Sequence, residues 1–218
     1  MYYLREIVQT IQQKREVTNG SIFGTSWLIF WYHMAHFLAP HGSFSGCYLL
    51  AHFLLYGIAM RKQKVYLETT MFNYYFDETK NAQPVTVAFF EAIGSGQFEG
   101  YTSVYTYDEL DKAPEPQRNN MLNLMEKYNI TVLDTSDEII HLAETYMKNN
   151  IIPKKKRIDA LHIAIASVNE LDMILSYNFR HINKLKTKTR IPAVNLVSGY
   201  KEIIIAQPEE VIDYEIDD

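Results

Sequence analysis

The stretch R-I-D-A-L-H-I-A-I-A-S-V-N-E-L-D-M-I-L-S-Y-N-F, Arg157 to Phe179, decides the fold. Its first half carries Ile158, Ala160, Leu161, Ile163, Ala164, Ile165, Ala166 and Val168, so a helix here has almost no polar side. A helix that is apolar nearly all round belongs in the centre of a domain. Met173 to Ser176 is a short apolar run of strand type. The polar break between them, Asn169 to Asp172, is as short as the connections of α/β units. Asp159 stands at the start of the helix and Asn178 just past the end of the strand. Buried polar groups are costly unless something binds them. A divalent metal and a phosphate are the partners that these groups suggest.

Outward from this unit, elements alternate. Val65 to Leu67 is a buried-type strand running into Glu68-Thr69-Thr70. Residues 71–77 read as helical, with Tyr74, Tyr75 and Phe76 as bulky core or groove residues. A helix over Val85 to Ile93 stops at Gly94-Ser95-Gly96. Phe98 to Ser103 reads as a second strand and Val104 to Leu110 as a short helix, halted by Pro114 and Pro116. Gln117 to Tyr128 is amphipathic, and Ile130 to Leu133 is a third strand. Ser136, Asp137 and Glu138 open a helix with a cap and an acidic first turn, running to about Lys148. After the central unit come a helix near Ile182, a strand at Ile203 to Ile205 and Pro208-Glu209-Glu210. Such alternation predicts a parallel sheet flanked by helices.

In such a sheet ligands bind beyond the carboxyl ends of the strands. Glu68 directly follows the first strand. Glu109 lies near the end of the helix after the second, Asp159 opens the central helix, and Asn178 follows the last core strand. Four oxygen-bearing side chains at one edge suit Mg2+ or Mn2+, which take few hard oxygen ligands and leave room for water and phosphate. Each residue also has a plain structural reading. Asp159 could cap a helix beginning at Ala160, Glu109 could be a solvated helix residue, Glu68 could pair with a lysine, and Asn178 could be a turn residue. His162, one turn along from Asp159, reads as a satisfied core histidine.

Composition narrows the partners. The chain has 218 residues, a net charge of −5 and one cysteine, Cys47. Its length suits one domain of about 150 residues plus an extension. The single cysteine excludes an internal disulfide framework and a multi-cysteine zinc site, and fits a reducing cytoplasm. The acidic total does not advertise nucleic-acid binding, but metal in an acidic site and a local basic patch are compatible with it. Lys154, Lys155, Lys156 and Arg157 form such a run; a solvated loop is the alternative.

The first quarter differs in kind. Leu4, Ile7, Val8 and Ile11 fall at helical spacing. Ser21 to Ala39 and Gly42 to Met60 are apolar, aromatic-rich runs, each about long enough to cross a bilayer. Three readings compete. The first is a membrane hairpin flanked by Arg61, Lys62 and Lys64, although histidines in mid-span are expensive. The second is a natural start at Met60, and the third a soluble helical pair. His33, His36 and His41 match no helix-face metal motif. The expected division is a hydrophobic helical extension over residues 1–59 and an α/β domain over 60–218.

Four pieces of this domain resemble the PIN-domain nucleases: V-Y-L-E-T-T at Val65 to Thr70, T-S-V-Y-T-Y-D-E-L at Thr102 to Leu110, D-A-L-H-I-A-I-A at Asp159 to Ala166, and L-S-Y-N-F-R-H-I at Leu175 to Ile182. Their order and spacing fit from Lys64 to about Ile212. The resemblance implies a three-layer α/β/α sandwich with a central, mostly parallel sheet and an acidic metal site that cuts RNA. It implies Glu68, Glu109 and Asp159 as metal ligands and, with Asn178, as the catalytic set. Two departures touch that set: Glu68 stands where Asp is usual, and Asn178 where a fourth acid is common. Thr69 or Thr70 matches a hydroxyl often found beside the first acid, and both join Lys154 to Arg157 as candidates to touch RNA. Many relatives of this size are toxins of toxin–antitoxin pairs, which implies an antitoxin partner and a homodimer. The other classes are a PIN-like domain that binds RNA or protein without cutting, and a domain held at a membrane through residues 21–60.

Overall fold

The computed structural model describes residues 61–213; the apolar runs of the first quarter, and with them the expected boundary at Met60, lie outside the described residues. Five strands make one sheet. In chain order the elements are β1 (Gln63–Leu67), α1 (Thr69–Phe76), α2 (Gln83–Gly94), β2 (Phe98–Ser103), α3 (Val104–Asp111), α4 (Gln117–Lys127), β3 (Thr131–Leu133) and α5 (Asp137–Lys148). A 3-10 turn at Lys154–Lys156 leads into α6 (Arg157–Val168), followed by β4 (Met173–Leu175), α7 (Leu185–Val197), β5 (Ile204–Ala206) and a second 3-10 turn at Pro208–Glu210.

The sheet order is β3-β2-β1-β4-β5 and every pairing is parallel. Parallel strands buried on both faces read as continuous apolar runs. Val65, Tyr66 and Leu67 are all completely buried, as are Ile174 and Leu175. Alternation along the strands sorts two cores. Tyr66, Ile174 and Ile205 pack with residues of α5, α6 and α7 on one face. Val65, Leu67, Met173, Leu175 and Ala206 pack with α1, α2 and α4 on the other. The result is the expected α/β/α sandwich. Ala160 to Ser167 are buried without interruption, so α6 is the central helix that its composition requires. Among the described residues no helix is long and apolar enough to cross a membrane.

The caps follow local chemistry. Ser136 Oγ accepts from Ile139 N at 3.3 Å at the start of α5, and Gly96, at φ +80, supplies the left-handed turn between α2 and β2. Two expectations shift. The helix expected near Ile182 begins only at Leu185. Before it, Asn183 Nδ2 donates to Ser176 O at 2.9 Å, Asn183 N donates to Asn178 O at 2.8 Å, and Thr187 Oγ1 donates to His181 O at 2.6 Å. Side chains that bond locally to backbone in this way compete with helix formation. The central helix starts at Arg157, which puts Asp159 inside its first turn rather than at a cap before Ala160.

With β1 in the middle, the chain runs β1-β2-β3 to one edge and then returns to place β4 and β5 on the other side. The crevice at such a switch point, here between β1 and β4, is where ligands bind in open parallel sheets.

Candidate metal centre

Glu68 leaves β1 at that crevice as the N-cap of α1, in extended backbone, φ −81 and ψ 160. Its Oε2 accepts three hydrogen bonds: Thr70 N at 3.1 Å, Thr70 Oγ1 at 2.5 Å and Ser176 Oγ at 2.8 Å. Ser176 follows β4 directly, and its Oγ accepts from Asn178 N at 2.9 Å. Thr70 Oγ1 in turn accepts from Tyr177 N at 2.8 Å. The ends of β1 and β4 are thus laced around one carboxylate that is only 5% exposed. Burial raises its pKa, and the bonds from Thr70 and Ser176 offset part of that rise.

Asp159 faces the same end of the sheet from the first turn of α6. Its Oδ1 accepts from Asn178 Nδ2 at 3.2 Å, while Oδ2 is buried without a hydrogen-bond partner. Burial raises the pKa of Asp159, and the negative charge of Glu68 adds to the rise; His181, His162 and Lys156 act against it. Asn178 Oδ1 accepts from His181 N at 3.2 Å. Asn178 therefore orients Asp159 by donation, where a fourth carboxylate would repel it.

Glu109 is an exposed residue of α3, and its Oε2 accepts a bond from Thr69 Oγ1. One ligand atom each of Glu68, Glu109 and His162 lie within 4.8 Å of one another. His162 is completely buried. Its Nδ1 sits 2.7 Å from the Tyr66 hydroxyl, which lies 2.7 Å from Ser103 Oγ. Its Nε2 has no partner. Burial pushes the His162 pKa down to about 4 against the pull of Glu109 and Asp159, so the ring is neutral at pH 7.

The residues picked out from the sequence therefore divide. Glu68 and Glu109 converge, and Asp159 and Asn178 pair beside them. Both threonine hydroxyls have partners within the chain, Thr69 on Glu109 and Thr70 on Glu68 and Tyr177. Lys154, Lys155 and Lys156 are exposed on the turn that leads into α6. Arg157 Nη2 lies 4.0 Å from Glu144 Oε1 of α5. Asp172 bonds Lys64 N at 2.8 Å before β4 begins, at the opposite edge of the sheet, as its place in the sequence requires. Sequence reasoning missed Ser176, Tyr66 and Ser103, and placed His162 in the core only. The three-residue spacing of Asp159 and His162, which puts both on one helix face, was the available signal for the histidine.

The residues fit a divalent cation. Two carboxylates and an imidazole approach one point; Nε2 of that imidazole lacks a partner, and so does the buried Oδ2 of Asp159 beside them. Buried polar groups without partners are uncommon and mark sites completed by an ion or water.

No family model matches the chain, and no curated protein does. Several solved structures are similar to it at low identity, three of them as follows. A toxin–antitoxin complex from Klebsiella pneumoniae shares 13% identity over 70% of this chain and 99% of its own, with a TM-score of 0.45. VapBC2 from Rickettsia felis, bound to a DNA fragment from its promoter, shares 14% over 66% of this chain and 98% of its own, with a TM-score of 0.46. VapC20 from Mycobacterium tuberculosis, a sarcin-ricin loop cleaving toxin, shares 9% over 53% of this chain and 91% of its own, with a TM-score of 0.39. The chain's own sheet and its covering helices have the three-layer architecture that the resemblance to PIN-domain nucleases implies.

Proposed function

We propose that the chain is a divalent-metal-dependent endoribonuclease of the PIN type, acting in the cytoplasm with Mg2+ or Mn2+. The observation that supports this most is the convergence of Glu68 and Glu109 beside the unpartnered Asp159 Oδ2, at the carboxyl edge of a parallel sheet. A divalent cation held there by Glu68, Glu109 and Asp159 supplies Lewis-acid stabilisation of the charge that builds on the phosphate.

The chain's own groups do the rest. Three donors fix Glu68 and Thr69 fixes Glu109, so neither ligand arm has to reorganise as substrate binds. Asp159 Oδ2, the oxygen that Asn178 leaves free, completes the ligand set, and the proton of the attacking water passes to solvent. Water oxygen bonds to phosphorus as the P–O3′ bond breaks in line with it, and the departing 3′ oxygen takes up a proton from solvent, which leaves a 3′-hydroxyl on one product and a 5′-phosphate on the other. Lys154, Lys155 and Lys156 hold the RNA backbone beside the acids. As a toxin of a toxin–antitoxin pair, the chain dimerises and accepts an antitoxin peptide at the crevice between β1 and β4.

The second reading is a PIN-like domain that binds RNA or protein without cutting. Asn178 favours it, because an amide at the fourth position carries no charge and its oxygen is taken by His181 N. Calorimetric titration with Mn2+ separates the two, since the second reading needs no binding even near millimolar metal. The direct test of the first compares the chain with Asp159→Asn on single-stranded RNA, with Mn2+ and with chelator. Cleavage by the parent only, with metal only and with an unchanged fold in the variant, is the expected result. Full activity in the variant overturns the assignment.

A further inference from the structure

We infer that His162 Nε2 is a nitrogen ligand of the cation held by Glu68 and Glu109, and that the site therefore prefers Mn2+, Co2+ or Zn2+ to Mg2+. This rests on the proposed metal-dependent nuclease and specifies its cofactor. The ring is completely buried, and only one of its two nitrogens has a hydrogen-bond partner. The Tyr66 hydroxyl donates to Ser103 Oγ at 2.7 Å, so the 2.7 Å contact between Tyr66 Oη and His162 Nδ1 is one in which Nδ1–H donates. That tautomer leaves a lone pair on Nε2. A metal-binding histidine is held in the same way, by a second partner on its other nitrogen. Nε2 itself has no partner, and the imidazole shares a 4.8 Å neighbourhood with the two carboxylates.

The span of the three donors is close to a coordination sphere. Opposite ligands at about 2.1 Å from one ion lie about 4.2 Å apart, so donors no more than 4.8 Å apart have at most some tenths of an ångström to close. Glu109 sits on the surface, where only the bond from Thr69 Oγ1 has to follow that small shift. Mg2+ keeps waters and oxygen ligands and gains little from imidazole, whereas Mn2+, Co2+ and Zn2+ accept mixed nitrogen and oxygen sets. The same nitrogen supplies a neutral donor where Asn178 supplies no carboxylate, without the repulsion that a fourth carboxylate would bring.

Pulsed EPR of the full chain loaded with one equivalent of Mn2+ tests the ligand itself. A coordinated imidazole gives nitrogen modulation, which disappears in His162→Gln. It also disappears in Glu109→Gln, an exposed substitution that spares the fold. Calorimetry adds that His162→Gln weakens Mn2+ binding at least about tenfold and leaves Mg2+ binding within about threefold. Should His162→Gln fail to fold, the parent and Glu109→Gln spectra decide alone. Mn2+ bound through oxygen only, or equal losses for both metals in a folded variant, overturns the inference. In the first case RNA cleavage survives and the nuclease reading stands. Nitrogen-ligated Mn2+ without any RNA cleavage overturns the nuclease reading and keeps the ligand.

Discussion

Glu68→Gln stabilises the metal-free protein while it damages the metal site. The amide keeps the volume of the side chain, and its oxygen takes the place of Oε2 before Thr70 N, Thr70 Oγ1 and Ser176 Oγ. Each bond changes from charge-assisted to neutral, a loss of about 1 kcal/mol apiece or about 3 kcal/mol in all. Against this, the variant escapes the burial of an ionised carboxylate, which costs several kcal/mol even after relaxation. Burial is the larger of the two effects on Glu68, since its pKa lies above the ordinary value in spite of the three bonds. Where Glu68 is ionised in the folded parent, the net gain is about 1–2 kcal/mol. For a domain of this size that raises Tm by roughly 2–8 °C.

The pH dependence follows from linkage. The folded state binds the Glu68 proton more tightly than the unfolded state does, so stability of the parent falls as pH rises from the ordinary value of 4.5 through the raised one. The variant lacks this fall, so its advantage is absent below that range and fully present above the raised value. Mn2+ at a hundred times its dissociation constant adds about 2.7 kcal/mol to the parent and reverses the order. Thermal unfolding followed by circular dichroism, in chelator and in Mn2+, measures all of this. A variant that melts below the parent at neutral pH in chelator refutes the reasoning, because it shows that the three bonds outweigh the burial of charge.

Tyr66→Phe removes the hydroxyl that bridges Ser103 and His162 Nδ1. Leaving the buried Nδ1 unpaired costs about 1–3 kcal/mol, read as a lower denaturant midpoint with an unchanged slope. Replacing Lys154, Lys155 and Lys156 by alanine weakens binding to uncleaved single-stranded RNA. The log–log salt dependence of that binding flattens by about 2, at about 0.7 for each phosphate no longer neutralised, as measured by anisotropy over a salt series.

Much of this architecture can be read from residues alone because its signals are local. A helix apolar nearly all round at Ile158 to Val168 must be central, and the β-type runs at Val65 and Met173 must lie beneath it in a sheet. The edges of β2 follow from Gly96 before it and from the change of periodicity at Val104. The acids are legible because strand ends mark the ligand edge. What escapes is set by tertiary contacts. The delay of α7 to Leu185 depends on Asn183 and Thr187 bonding across a turn. The anchoring of Glu68 depends on Ser176, 108 residues away. His162 looks like core material in sequence, and only the position of Tyr66 on β1 shows that one nitrogen is satisfied and the other is not.

The central claim is that the acids at the carboxyl edge of the sheet hold a divalent cation. Crystals of the full chain grown with Mn2+ and measured near the manganese absorption edge test it most directly. The account predicts an anomalous peak at about 2.0–2.3 Å from oxygens of Glu68 and Glu109, lost in Glu109→Gln crystals. A parent crystal with manganese peaks only elsewhere, and none at these carboxylates, contradicts it.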